Sequence, residues 1–73
     1  MHLDDCALDR DVVVRDVATP GSSRARMYEI GLHLGAVVRV THRGPAGGRV
    51  VAVGGARVAL DAATASRVEV EPL

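Results

Sequence analysis

Apolar positions recur along this chain in short Val-rich runs broken by Gly- or Pro-containing turns, the spacing of a small all-β domain. The clearest run is Arg67 to Glu71, where Arg-Val-Glu-Val-Glu alternates with period two and sends Val68 and Val70 to one face. Ala36 to His42 alternates too, with Val38 and Val40 on one side and Arg39 and Thr41 on the other. Arg49 to Val53 and Arg57 to Leu60 predict two more strands around Gly54-Gly55, a dipeptide suited to a tight hairpin because both positions tolerate positive φ. Gly44-Pro45-Ala46-Gly47-Gly48 cannot continue a strand and reads as the turn between the second and third strands. Val12 to Val17 predicts the first strand, although Val12-Val13-Val14 does not alternate.

Two helical segments interrupt this pattern. Ser22 or Ser23 can cap a helix through Arg24-Ala25-Arg26-Met27-Tyr28-Glu29-Ile30, with Met27 and Ile30 covering one face of the sheet. Gly31 fits the left-handed position that ends a helix, and Leu32 can fold back onto Met27. Asp61 caps a single turn, Ala62 to Ser66, just before the last strand. The expected fold is therefore mainly β: a small five-stranded SH3-like barrel, with one short α-helix after the first strand and a helical turn before the last. Residues 1–73 make one domain, since a chain this short has no room for a second core. A core of this size supports a net stability of only about 3–5 kcal/mol.

Composition narrows the function classes. Apolar residues are 48% of the chain, enough for collapse, but Tyr28 is the only aromatic, so no base-stacking platform can be built. Nine Arg, no Lys and nine acidic residues sum to zero formal charge, which removes the field that draws a protein to nucleic acid or an anionic membrane. Cys6 is the lone cysteine, so no disulfide closes within the chain and a Cys₂ or Cys₄ zinc site cannot form. The N-terminus lacks the basic and apolar regions of a signal peptide, and no apolar stretch approaches the ~20 residues of a membrane span. A reducing cytoplasm is the expected setting, and the opening Met1 fits a free-standing chain.

Three segments together resemble the FeoA family. Arg26-Met27-Tyr28-Glu29-Ile30-Gly31-Leu32-His33-Leu34-Gly35, followed by Val37-Val38-Arg39-Val40, is similar to the family's signature: a basic helix, Gly-Leu, two variable positions, Gly and a Val-rich strand. Val51 to Leu60 resembles its strand, glycine turn and aliphatic-Ala-Leu strand, and Ala65 to Val70 its final turn and strand. The chain departs from the family at Asp9-Arg10, where a glycine usually precedes the first strand, and at Leu34, where a proline is common. The resemblance implies a non-enzymatic cytoplasmic accessory protein of bacterial ferrous-iron uptake. Such a protein docks on and modulates a FeoB-type GTP-dependent membrane iron transporter, touching the membrane only through that partner. The same fold serves as the C-terminal domain of DtxR-type regulators, so a metal-sensing or regulatory domain of that kind is the alternative.

The candidate chemistry is sparse. His33 and His42 flank the second strand and, with Cys6, could contribute to a weak transition-metal site, even one shared in a homo-oligomer. No pair stands at ligand spacing, however, and two exposed histidines with a core-packed thiol are the simpler reading. Neither Ser22 nor Ser23 has an activating motif, and the glycine turn lacks the Lys-Ser/Thr of a phosphate loop, so no cofactor and no catalytic residue is expected. Arg24 and Arg26, with Arg15 near them, could hold an acidic partner surface or a nucleotide phosphate; the plain alternative is a solvated helix face countered by Glu29 and Asp16. If Val38, Val40, Val51 and Val53 point inward, alternation sends Val37, Val50 and Ala52 outward. That is either an exposed apolar stripe for a partner or simple cross-strand pairing.

Overall fold

The computed structural model describes every residue, Met1–Leu73. The order of elements is β1 (Asp11–Val17), α1 (Gly21–Glu29), β2 (Val37–Arg43), a 3₁₀ turn over Pro45–Gly47, β3 (Arg49–Val53), β4 (Ala56–Leu60), α2 (Ala62–Ala65) and β5 (Val68–Pro72). The five strands form one antiparallel sheet in the order β4-β3-β2-β1-β5.

Alternation places the expected valines inside. Val38, Val40, Val51, Val53, Val68 and Val70 are all buried, and so are Val12, Val14 and Val17 of β1. The spacing of two and then three in β1 is resolved by a bulge. Pairing with β5 slips between Val14 and Asp16, so Arg15 and Asp16 both face solvent and Val17 turns back to the core. A second slip in the β2–β3 ladder falls between Val40 and His42, at Thr41. Its hydroxyl donates to the Val50 carbonyl at 3.3 Å.

The open side of this valine layer is closed by pieces from the rest of the chain. Leu3 and Cys6 come from the N-terminal segment, Met27 from α1, Leu32 from the loop after it and Ala65 from α2. The N-terminal segment also runs along the outer edge of β5. The Leu3 N–H donates to the Val68 carbonyl at 3.1 Å, and the Val70 N–H donates to the Met1 carbonyl at 2.7 Å. Arg49 fastens this segment from the far side, donating to the carbonyls of Asp4, Gly47 and Gly48 at 2.6, 2.7 and 3.0 Å.

Helix α1 ends as expected but starts differently. The Leu32 N–H donates to the Met27 carbonyl at 2.8 Å and the Gly31 N–H to the Tyr28 carbonyl at 3.0 Å, with Gly31 at φ +98°. Neither Ser22 nor Ser23 caps the start: the helix begins at Gly21 with Pro20 in the cap position and no side-chain cap bond. The two serines lie inside the first turn, two and three positions past the cap. Asp61 does cap α2, its Oδ1 accepting from the Thr64 N–H at 2.8 Å. That contact holds its carboxyl below the ordinary value. At the β3–β4 hairpin only Gly54 takes positive φ (+59°), and Gly55 does not. Asp9, standing where the family usually carries glycine, adopts φ +61° and donates its N–H to the Val40 carbonyl at 2.8 Å. Aspartate is among the few residues that tolerate this left-handed conformation.

Candidate docking surface

The outward face of β1, β2, β3 and β4 holds a shallow depression of about 570 Å³ lined by Asp9, Asp11, Val37, Arg39, His42, Ala52 and Arg57, among others. Val37 is the apolar centre, 48% exposed. The register explains why it stays open. Val38 pairs with Val53, so the next place on the β3 side of Val37 falls to Gly54, which has no side chain to cover it. The Arg39 Nε–Asp11 Oδ1 ion pair, 2.8 Å long, forms one wall. The Asp11 hydrogen bond, reinforced by its charge, raises the Arg39 guanidinium above its ordinary value.

The expected stripe of exposed Val37, Val50 and Ala52 is only partly there. Val50 and Ala52 are half-buried, because β3 is flanked on both sides: Val50 lies between His42 and Ala59, and Ala52 between Arg39 and Arg57. Val37 and Ala52 share the depression; Val50 lies outside it, in a neighbouring hollow with Pro45 and Leu60.

The arginines do not gather either. Arg15 Nε pairs with Glu71 Oε2 of β5 at 3.0 Å, away from α1. Arg24 and Arg26, two positions apart, fall on different flanks of α1. Arg24 lines a cleft with Val17, Tyr28, His33 and Leu34, where Tyr28 and Leu34 are 68% and 57% exposed. Arg26 lines a groove between α1 and β4.

The three metal candidates are kept apart. His33 sits against Tyr28 with ring centroids 5.0 Å apart, and its Nδ1 lies 3.1 Å from the Leu34 carbonyl. His42 Nδ1 lies 2.9 Å from the Thr41 hydroxyl. Cys6 is buried, its thiol reaching the Leu3 carbonyl at 3.5 Å, and burial pushes that thiol's pKa up. No three His, Cys, Asp or Glu side chains converge on one point. No helix is long and apolar enough to cross a membrane.

The FeoA domain model matches residues 1–72. The chain belongs to the FeoA family. No curated protein sequence matches it. Solved structures agree with the family assignment. The zinc-complexed FeoA of Stenotrophomonas maltophilia, described as a prokaryotic SH3 domain protein, is 36% identical with a TM-score of 0.79, the match covering 97% of this chain and 89% of that one. A protein described as an iron uptake regulatory protein, FeoA, is 27% identical with a TM-score of 0.88, covering 100% of this chain and 97% of its own. A manganese-dependent transcriptional repressor is 25% identical with a TM-score of 0.89, but the match covers only 41% of that chain. The relation to the SH3-like domain of metal-dependent repressors, expected from the sequence, is thus present alongside the FeoA match.

The structure brings Val37 and Ala52 together in one depression and leaves Val50, Arg24 and Arg26 outside it, while the Arg39–Asp11 pair and Arg57, which the sequence did not single out, stand beside Val37. Alternation marks Arg39 and Arg57 as outward, and only strand register shows which residues stand beside them.

Proposed function

We propose that this FeoA-family chain is a non-enzymatic cytoplasmic accessory protein of ferrous-iron uptake that docks on a FeoB-type membrane iron transporter and modulates it. Its sheet rolls into an SH3-like barrel whose interior is filled, leaving function to the outside. The observation that carries the reading is Val37, an exposed valine at the centre of a depression walled by the Arg39–Asp11 pair and by Arg57. An apolar centre with a charged rim is the anatomy of a protein contact. Arg24 on α1, beside exposed Tyr28 and Leu34, supplies a second patch. The zinc and iron named for its relatives favour a role in transition-metal handling.

Val37→Asp tests the reading, because the side chain is exposed and the core is untouched. The circular dichroism spectrum and melting midpoint are expected to stay at wild-type values while co-purification with the transporter is lost. Undiminished co-purification would remove this surface from the contact, and a combined Arg24→Glu variant that also still binds would remove the second patch.

The match to a manganese-dependent repressor favours a second reading, a regulatory domain that senses metal or supports a DNA-binding partner. Calorimetry with ferrous, manganous and zinc ions separates the two, since the sensing role requires saturable binding and the docking role requires none.

A further inference from the structure

We propose that the outer edge of β4, together with the flank of α1 beside it, is a strand-accepting groove for an extended partner segment that alternates apolar and acidic residues. Gly54-Gly55 closes a two-residue hairpin, so Val53 and Ala56 form the hydrogen-bonded rung nearest the turn. Alternation then turns the backbone of Ala56, Val58 and Leu60 toward β3 and that of Arg57 and Ala59 outward. The N–H and C=O groups of Arg57 and Ala59 find no partner elsewhere in the chain. The opposite edge of the sheet is different, since Met1–Leu3 already runs along β5. The sheet therefore has one edge left open for pairing, at β4.

Beside that edge lies a groove of about 320 Å³ between α1 and β4, with Met27, Ile30, Val58 and Leu60 in its lining and Arg26 and Asp61 at its sides. A strand set against a helix flank is the geometry in which an extended peptide gains backbone bonds from the edge and side-chain contacts from the helix. The alternation of the guest follows from the two faces of β4. Val58 and Leu60 face the core side, which asks for apolar residues there, while Arg57 and Ala59 are exposed on the other face. Arg57, on the outward face, forms no ion pair within the chain, so the guest's residues on that face should be acidic. Charge also argues against a second copy as the occupant. Two β4 edges paired with each other would bring Arg57 of both chains onto one face of the joined sheet, whereas an acidic segment neutralises it.

The test is an NMR titration of the isotope-labelled full chain with an acetylated, amidated Val-Glu-Val-Glu-Val-Thr peptide and with its Val-Arg-Val-Arg-Val-Thr counterpart. The acidic peptide is expected to shift the amides of Arg57, Ala59 and Ile30 and to slow hydrogen exchange at Arg57 and Ala59 by about tenfold. The basic peptide is expected to do neither. Arg57→Glu should weaken the acidic peptide by about fivefold. Ala59→Pro removes one outward N–H at an edge position that tolerates proline, and should abolish the slowing at Arg57. If that variant does not fold, Arg57→Glu and the peptide pair decide. Equal binding of both peptides, shifts confined to the Val37 depression, or no shift at millimolar peptide would overturn the proposal. The titration contains no transporter, so undiminished co-purification of the Val37→Asp variant leaves it untouched.

Discussion

The two edges of the sheet are chemically alike and structurally opposite. Both β4 and β5 are five-residue strands with buried inward side chains, Leu60 in one and Val68 and Val70 in the other. The β5 edge is occupied by Met1–Leu3, whose backbone completes the ladder while Leu3 fills the core beneath it. The β4 edge meets no such segment, only the flank of α1 across a groove. The difference lies in what the neighbouring chain can offer. A segment that covers an edge must supply backbone donors and acceptors at strand spacing, and α1, whose own groups bond along its axis, cannot do so. A helix can wall an edge without sealing it.

The strongest way to break the contrast is at the closed edge. Leu3 is fully buried, so Leu3→Ala is expected to cost about 3 kcal/mol. That approaches the whole stability expected of a chain this small, and the variant should unfold at markedly lower urea. Hydrogen exchange at the Val70 amide would rise with it, as the Met1–Leu3 cover lifts; wild-type protection there would mean that Leu3 does not hold the cover down.

A smaller effect is expected at the wall of the open edge. Gly31 ends α1 at φ +98°, and a Cβ there would stand 2.7 Å from Val53 Cγ1. Gly31→Ala combines a disfavoured backbone with a clash against the core, and should cost about 2 kcal/mol. Gly35 also has positive φ (+85°) but nothing lies within 4 Å of its added Cβ. Gly35→Ala should carry the backbone strain alone, about 1 kcal/mol, in the same urea titration. Equal losses at the two sites would show that the contact with Val53 yields freely.

The smallest effect lies just past β4, at the Asp61 cap. Its folded carboxyl titrates below the ordinary value of 3.8, so its contribution is fully present above that pH and is lost as the pH falls through the lower, folded value. Asp61→Asn keeps a capping oxygen that does not ionise. The variant should match the wild type in shape of the melting-temperature profile above pH 5 and lose part of the acid-side decline; identical acid limbs would assign that decline to other carboxylates.

Much of this was legible from residue order, and the failures have physical causes. The alternation of Val68-Glu69-Val70 and of Val38-Arg39-Val40 could be read directly, because a half-buried strand has a period of two whatever it packs against. Gly31-Leu32 marked the helix end because the left-handed turn needs glycine locally. The start of α1 was misplaced: serine is a general capping residue, but the backbone had already turned helical at Gly21. Val50 and Ala52 were placed on the correct face and given too much exposure, since alternation counts faces and not neighbours. They are half-covered because β3 lies between β4 and β2.

The sequence by itself determined the strand set, the turns and which valines face inward, because these depend on backbone preference and period within a few residues. Tertiary structure alone decided that β1 bulges at Arg15 and Asp16, that Met1–Leu3 closes one edge, and that Val37 stands open opposite Gly54. Each of these depends on which distant residue comes to lie alongside, and register between strands is settled by packing the whole core at once.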